Sequence, residues 1–183
     1  TFKFPGEVIA TPPMVDLDGD GELDAVAGSN EPGGSAVQAV CPRTGRQLWR
    51  VTMAPNAWPS CYVGDVDGDQ KPDVVVVNRL SETWAIHGRT GRVLWKKTGF
   101  KNVAGASVQD VDGDGKRDVI CRVQHPTAPN LHQLQAFNGP DGKPKWSSPP
   151  LEPALAMPAR VLRGVHTSVV VLTLLAAEYA APA

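Results

Sequence analysis

The sequence predicts an all-β fold made of repeated four-stranded units, and three observations predict it. The 183 residues include 18 Gly and 17 Pro, a density of helix breakers that a helical bundle would not tolerate. An aspartate-rich loop recurs three times, each time followed by a short apolar run. A second motif, ending in Trp, follows each loop in the same order and nearly the same phase, which indicates a structural repeat.

The first motif is a nine-residue loop whose copies start 49 and 45 residues apart. It reads DLDGDGELD at 16–24, DVDGDQKPD at 65–73 and DVDGDGKRD at 110–118. The second motif carries a Thr-Gly or Asp-Gly turn and ends at Trp49, Trp95 and Trp146. Two independent motifs that keep this order three times predict one structural unit per period.

Each unit divides into four short strands. In the first unit they are predicted at 7–15, 23–28 and 36–41, with a Gly-rich turn at 30–35 and a fourth strand ending near residue 52. In the second they are predicted at 57–64, 73–78, 82–87 and 92–98. Four antiparallel strands per 45–50 residues are typical of a β-propeller blade. A β-sandwich would share the turn spacing but gives no reason for the double motif.

The chain is therefore predicted to be a single partial β-propeller over 1–183, with about three and a half blades. The blades are expected at about 7–52, 57–98 and 103–147, followed by a degenerate, incomplete fourth at about 153–183. In the fourth unit residues 161–168 stand where the loop should be, and they include no acid, so no cation is expected there. The two open sides should expose apolar strands such as 74–77 and 169–172.

The charge distribution points to bound cations. The net charge is −1, yet 12 of the 19 acidic residues are aspartates of the three loops, which leaves a body rich in Lys and Arg. Four carboxylates within nine residues repel one another unless a cation binds them. The same composition excludes a disordered tail, a collagen-like fibre and a strongly basic nucleic-acid binder.

The spacing within the loops favours Ca²⁺, with up to three ions. Carboxylates at positions 1, 3, 5 and 9 and a backbone carbonyl at position 7 form an all-oxygen ligand set. The predicted ligands are Asp16, Asp18, Asp20, Glu22, Asp24, Asp65, Asp67, Asp69, Lys71, Asp73, Asp110, Asp112, Asp114, Lys116 and Asp118, with Glu22, Lys71 and Lys116 acting through their carbonyls. Gly at position 6 permits the sharp turn, so Gln70 should make the second site the weakest.

These loops are not EF-hands. Position 12 is Ala27, Val76 or Cys121 instead of the bidentate Glu, and a Val-rich strand follows instead of a helix. The loop followed by this strand resembles the FG-GAP repeat of integrin α-subunit propellers, and 103–106 resembles its eponymous segment loosely. The Trp motif resembles the tryptophan-docking motif of quinoprotein-like propellers, with Cys41, His87 and Asn138 where that motif usually has Asp. This second resemblance implies that Trp49, Trp95 and Trp146 pack between blades.

The function that these features favour is a non-catalytic, calcium-binding recognition or assembly module, extracellular or at the cell surface, as the ectodomain of a larger protein. Its expected partners are another protein chain or a glycan, or a second copy bound through the open blade faces. Trp58 and Trp84 lie outside the docking motif and are candidates either for surface contacts or for packing between blades. Nucleic acid and a transmembrane segment are not expected, since the longest apolar run covers only 169–177.

Two enzymatic alternatives remain open. A carbohydrate lyase or hydrolase would need an acid–base pair outside the loops, and a quinoprotein dehydrogenase would need a quinone site. The spare acids and the histidines are dispersed along the chain: Glu7, Glu31, Glu82, Asp141, Glu152, Glu178, His87, His125, His132 and His166. No zinc site is expected, because Cys41, Cys61 and Cys121 form no CxxC pair. Cys121 should be a buried thiol, and Cys41–Cys61 is the one pairing considered.

Overall fold

In the computed structural model, residues 5–8, 10–100, 104–151, 160–163 and 168–171 are described, and every regular element among them is a β-strand. The strands are, in chain order, β1 (Glu7–Val8), β2 (Met14–Val15), β3 (Asp24–Glu31), β4 (Gly34–Cys41), β5 (Arg46–Met53), β6 (Ser60–Gly64), β7 (Asp73–Val77), β8 (Thr83–Ile86), β9 (Val93–Lys97), β10 (Ala104–Gln109), β11 (Asp118–Gln124), β12 (His132–Asn138), β13 (Pro144–Ser147), β14 (Arg160–Arg163) and β15 (Ser168–Val171).

These strands form three antiparallel blades and a hairpin, which is the architecture of a partial β-propeller. Blade 1 has the order β1-β3-β4-β5, with β2 also on β3; blade 2 is β6-β7-β8-β9 and blade 3 is β10-β11-β12-β13. The hairpin pairs β14 with β15. The rest of the predicted fourth blade lies outside the described residues.

The inner and second strands of blade 1 differ in detail from the sequence prediction. The single run predicted at 7–15 is divided into β1 and β2, which pair with successive parts of β3. Pro12 and Pro13 lie between them and have no N–H for the sheet ladder. The turn predicted at 30–35 is tighter, because β3 and β4 stay paired up to Glu31 and Gly34. Gly33 supplies the positive φ, 91°, that this two-residue turn requires.

Blade 2 is sandwiched between the other two blades. Side chains alternate along β7, so that Val74 and Val76 join the core cluster of blade 1 while Val75 and Val77 join that of blade 3. All four are buried. The prediction that residues 74–77 line an open side is therefore wrong, because a strand covered on both faces also reads as a continuous apolar run.

Two of the three tryptophans of the second motif join neighbouring blades, as the docking resemblance implies, whereas Trp146 packs against the core of its own blade. Trp49 Nε1 donates to the carbonyl of Gly88 at 2.5 Å, and Trp95 Nε1 donates to that of Gly139 at 2.6 Å. The Trp49 ring also lies on Gly91 of the next blade, where a Cβ would approach its Cγ to 2.8 Å. Position 91 therefore needs Gly for two reasons: its φ is positive, 71°, and the Trp49 ring lies too close to leave room for a Cβ.

Because every blade is an antiparallel meander, its loops alternate between two ends of the molecule. One end, the aspartate-loop face, carries the loops 16–24, 65–73 and 110–118 together with the turns of the Trp motif at 42–45, 88–92 and 139–143. The opposite end, the connecting-loop face, carries the loops 32–33, 78–82 and 125–131 and the crossovers 54–59 and 98–100. In the described part of the chain no helix is long and apolar enough to cross a membrane.

The three cysteines are free thiols. Cys121 lies in β11 and is fully buried, as the sequence predicts, and burial raises the pKa of its thiol to about 12. Cys61 lies in β6, and burial raises its thiol pKa to about 12 as well. Cys41, at the end of β4, has a thiol pKa lowered by its hydrogen bond to Thr44.

Candidate functional site

The three aspartate loops share one internal hydrogen-bond pattern. The position 1 carboxylate accepts the amide of position 4 through Oδ1 at 2.7 Å in every loop, and through Oδ2 the amide of position 6 at 3.0, 2.9 and 3.1 Å. Position 5 accepts the amide of position 7 at 2.9, 2.8 and 2.8 Å. The loops are thus folded by their own carboxylates, which brings several of these carboxylates close to a common point.

At that point the carboxylates of positions 1, 3 and 9 converge. Their oxygens lie within 4.8 Å of one another in each loop, in the groups Asp16/Asp18/Asp24, Asp65/Asp67/Asp73 and Asp110/Asp112/Asp118. The sequence predicts these nine ligands together. It also predicts the position 5 carboxylates, which belong to none of these three groups, and the carbonyls of Glu22, Lys71 and Lys116, whose role stays a prediction.

Position 9 is the buried end of each cluster. Asp24, Asp73 and Asp118 are at most 1% exposed, and one oxygen of each accepts the amide of position 2 at 3.0, 3.1 and 3.2 Å. Burial raises the pKa of all three carboxyl groups. A buried carboxylate with two others close by fits a hard cation, so the donor set passes this chemical test for Ca²⁺.

Position 6 of the second loop adopts the strained backbone that the sequence predicts. Gln70 has φ 67°, where the first and third loops place Gly21 and Gly115, both at 85°. A residue with a Cβ in this left-handed region costs about 1 kcal/mol.

A side chain from the Trp motif of the same blade faces each aspartate loop. Arg46 Nη2 lies 2.7 Å from Asp18 Oδ2, and His87 Nε2 lies 3.8 Å from Asp69 Oδ2. Lys145 Nζ lies 2.5 Å from Asp112 Oδ2 and 2.8 Å from Asp118 Oδ1. Sequence reasoning missed all three contacts, because they join two motifs about 20 to 30 residues apart along the chain.

The histidine facing the second loop places a nitrogen donor beside the carboxylate oxygens. Ligand atoms of Asp67, Asp69 and His87 also lie within 4.8 Å of one another. The other ring nitrogen of His87 is 3.1 Å from Thr90 Oγ1, which fixes the orientation of the imidazole. The equivalent positions in the other blades are Cys41 and Asn138, so only the second loop has this arrangement among the three.

The connecting-loop face has a different chemistry. Trp58 lies in the crossover between blades 1 and 2, half-buried, with the guanidinium carbon of Arg79 4.9 Å from its ring centroid. Leu80 is 43% exposed beside them. Farther along, a pocket of about 430 Å³ opens between the second crossover and the loop 125–131, lined by Phe100, His125, Pro126 and Pro129 among others.

Trp84, the second surface candidate of the sequence, packs instead between blades. It lies in β8 against the cluster shared by blades 1 and 2, and its Nε1 donates to Glu82 Oε2 at 3.1 Å. Lys96 Nζ lies 4.5 Å from the ring centroid and 2.6 Å from Glu82 Oε1. The packing interpretation therefore holds for Trp84, and only Trp58 is left for surface contacts.

Among the dispersed acids, Glu31, Glu82 and Asp141 form ion pairs within single blades. Glu31 of β3 pairs with Arg50 of β5 at 2.7 Å, and Asp141 pairs with Lys143 at 2.8 Å. Glu152, Glu178 and His166 lie outside the described residues.

Comparison with known proteins identifies a family whose model matches most of this chain. A family model described as "Outer membrane protein assembly factor BamB" matches residues 33–181. No curated protein matches the chain. Among solved structures, the crystal structure of BamB from Moraxella catarrhalis has a TM-score of 0.45 and 20% identity. The match covers 72% of this chain and 34% of that one, so this chain spans about a third of the length of that protein.

The family match corrects the assignment made from the aspartate loops. The resemblance to FG-GAP repeats of integrin α-subunits is wrong as a family assignment, and with it the interpretation of the chain as a calcium-binding extracellular module for cell adhesion or recognition. The carbohydrate-active alternative gains no support either. The aspartate loop indicated the wrong family because different propellers can carry the same nine-residue motif. The match to the family model, by contrast, extends over residues 33–181.

Proposed function

This chain belongs to the family of the outer membrane protein assembly factor BamB, and we propose that it is a non-catalytic scaffold that binds another protein through its connecting-loop face. The family name supports a protein partner and a place in the cell envelope, outside the cytosol. The geometry supports the choice of face, because the two ends of the propeller differ in the side chains they present.

The observation that carries this proposal is the conformation of Trp58. Its φ is 50°, in the left-handed region that a bulky side chain avoids, at a cost of about 1–2 kcal/mol. Asn56 and Ser81 on the same face also have positive φ, 60° and 64°. Residues held in strained conformations cluster at functional sites, where the surrounding structure maintains them.

Trp58, Arg79 and Leu80 on this face support a protein partner by their residue types. Trp and Arg are the residue types most enriched among interface hot spots, and here the Arg79 guanidinium lies over the Trp58 ring. Leu80 adds an exposed apolar side chain, and the pocket beside Phe100 offers a recess for an apolar group of the partner. The aspartate-loop face, by contrast, presents charged carboxylates, which are depleted from interface cores.

Photocrosslinking from matched leucines tests the proposal. Leu80 lies on the connecting-loop face and Leu23 on the aspartate-loop face, and both are exposed, by 43% and 57%. A photoreactive amino acid at position 80 should form adducts with a protein in the envelope fraction of the producing cells, and one at position 23 should not. Adducts from position 23 alone would contradict the proposed face.

We also propose that Ca²⁺ is a structural cofactor of the aspartate loops. The support is chemical: three carboxylate oxygens converge in each loop around a buried position 9. An ion bound there would order the hairpin between the first two strands of a blade. At free Ca²⁺ a hundredfold above the Kd, each bound ion would add about 2.7 kcal/mol of stability. Equal melting temperatures in Ca²⁺ and in chelator would contradict this proposal.

A further inference from the structure

The third aspartate loop already contains a positive charge, supplied by the chain. Lys145 Nζ contacts Asp112 Oδ2 at 2.5 Å and Asp118 Oδ1 at 2.8 Å, and it lies 4.0 Å from Asp114 Oδ2. The Lys145 side chain is only 19% exposed. Three carboxylates of one loop are thus close to a single ammonium group.

The position of Lys145 explains why only this loop has such a contact. The residue before the motif Trp is Leu48 in blade 1 and Leu94 in blade 2, and both pack on apolar core clusters. The register is the same in all three blades, since Ala39, Ala85 and Ala136 pair with Trp49, Trp95 and Trp146. A single Leu-to-Lys difference therefore extends a cation into the third loop.

The ammonium compensates a buried oxygen of the loop. Asp118 Oδ1 is fully buried and has no hydrogen-bond partner among the described residues, so its compensation is the ion pair with Lys145. In the second loop the matching oxygen, Asp73 Oδ1, accepts the amide of Gly88 at 3.0 Å.

The cation facing the first loop is different in kind. Arg46 contacts Asp18, the position 3 carboxylate, and its side chain is 58% exposed. The Arg46 side chain can therefore turn into solvent without leaving the Asp18 carboxylate as a buried, uncompensated charge. Lys145 cannot leave in this way, since Asp118 would remain buried and uncompensated.

We propose that Lys145 is a built-in counter-ion that takes the place of the divalent cation in the third loop, so that Ca²⁺ binds the first two loops only. This rests on the proposed cofactor of the loops. Because the ammonium is attached to β13, it competes as an intramolecular ligand, at a local concentration that free Ca²⁺ must overcome. The strained backbone of Gln70 by itself would make the second loop the weakest Ca²⁺ site of the three. The proposal instead makes the third loop the weakest.

Calcium titration calorimetry on the full chain tests the proposal by counting sites. Wild type should bind two Ca²⁺, and Lys145→Leu, which restores the residue found in the other blades, should bind three. Lys143→Leu is the matched control, because Lys143 pairs with Asp141 outside the loop, and it should bind two. The reciprocal variant Leu94→Lys should lose the site of the second loop and bind one.

The outcomes separate this inference from the cofactor proposal. Three ions bound by wild type, or an unchanged number in Lys145→Leu, would overturn the role of Lys145. No binding by wild type with one ion gained in Lys145→Leu would overturn the cofactor proposal for the first two loops and support the role of Lys145. If Lys145→Leu folds only in Ca²⁺, its melting temperature should depend on Ca²⁺ far more than that of Lys143→Leu, and an equal dependence would count against the proposal.

Discussion

At the scale of single residues, the contacts that matter most join one blade to the next. Trp49 and Trp95 each place a ring on a glycine and an N–H on a carbonyl of the following blade. A buried carbonyl that loses its donor retains the full cost of its desolvation. The docking tryptophans are therefore expected to stabilise the molecule through the hydrogen bond as well as through the buried ring.

Trp49→Phe separates these two contributions. The variant keeps an aromatic ring between blades 1 and 2 but leaves the Gly88 carbonyl without its donor, so the free energy of unfolding should fall by about 1–3 kcal/mol. Urea denaturation measures this change. Trp58→Phe, on a half-buried ring at the surface, is the control and should lose less; equal losses would show that the hydrogen bond contributes nothing.

Gln70→Gly tests the strain in the second loop. Glycine at φ 67° removes about 1 kcal/mol of backbone strain, and the loop should then bind Ca²⁺ more tightly. Gln70→Ala keeps a Cβ at the same φ and should leave the affinity unchanged. Calorimetry compares the two variants, and equal affinities would mean that the φ of position 6 does not limit binding.

At the scale of elements, ion pairs within a blade hold the second strand to the outer strand. Glu31 of β3 accepts two hydrogen bonds from Arg50 of β5, at 2.9 and 2.7 Å, above the buried Gln38 of β4. The Arg50 guanidinium lowers the pKa of the Glu31 carboxyl. Since the folded pKa is lowered, the stability that it contributes is complete above the unfolded value, about 4.5, and is lost as the pH falls through the folded pKa.

Glu31→Gln should therefore destabilise the protein in a pH-dependent way. At neutral pH we expect a loss of about 1–2 kcal/mol, because a charge-assisted bidentate pair is replaced by a neutral one. The difference from wild type should shrink as the pH falls below about 4.5. Glu22→Gln breaks an exposed pair with Arg43 at 3.4 Å and should change little. A pH-independent difference would contradict the role of the Glu31 charge.

The elements also show how far the sequence alone reaches. Gly and Pro turns, Val-rich runs and the two motifs predict the four strands of a blade, because each is a local feature. The placement of Val74–Val77 between two blades depends on the neighbouring blades. Lys145 and His87 were missed for the same reason, since their contact with an aspartate loop depends on how a blade folds back on itself.

At the scale of the whole molecule, the described sheets amount to three complete blades and one hairpin. β-Propellers close with four to eight blades, which is more than these three complete sheets. We expect the isolated 183-residue chain to cover its terminal blades by associating with further copies. Sedimentation equilibrium measures this, and a concentration-independent monomer would contradict it.

The central claim is that a protein partner binds the connecting-loop face, and one comparison of affinities tests it most directly. The Kd of the partner captured from position 80 is measured for wild type, Trp58→Ala and Leu23→Ala. Trp58→Ala should weaken binding at least about tenfold, as truncation of an interface hot spot does, while Leu23→Ala should leave the Kd unchanged. Equal Kd values for wild type and Trp58→Ala, or a loss confined to Leu23→Ala, would contradict the account.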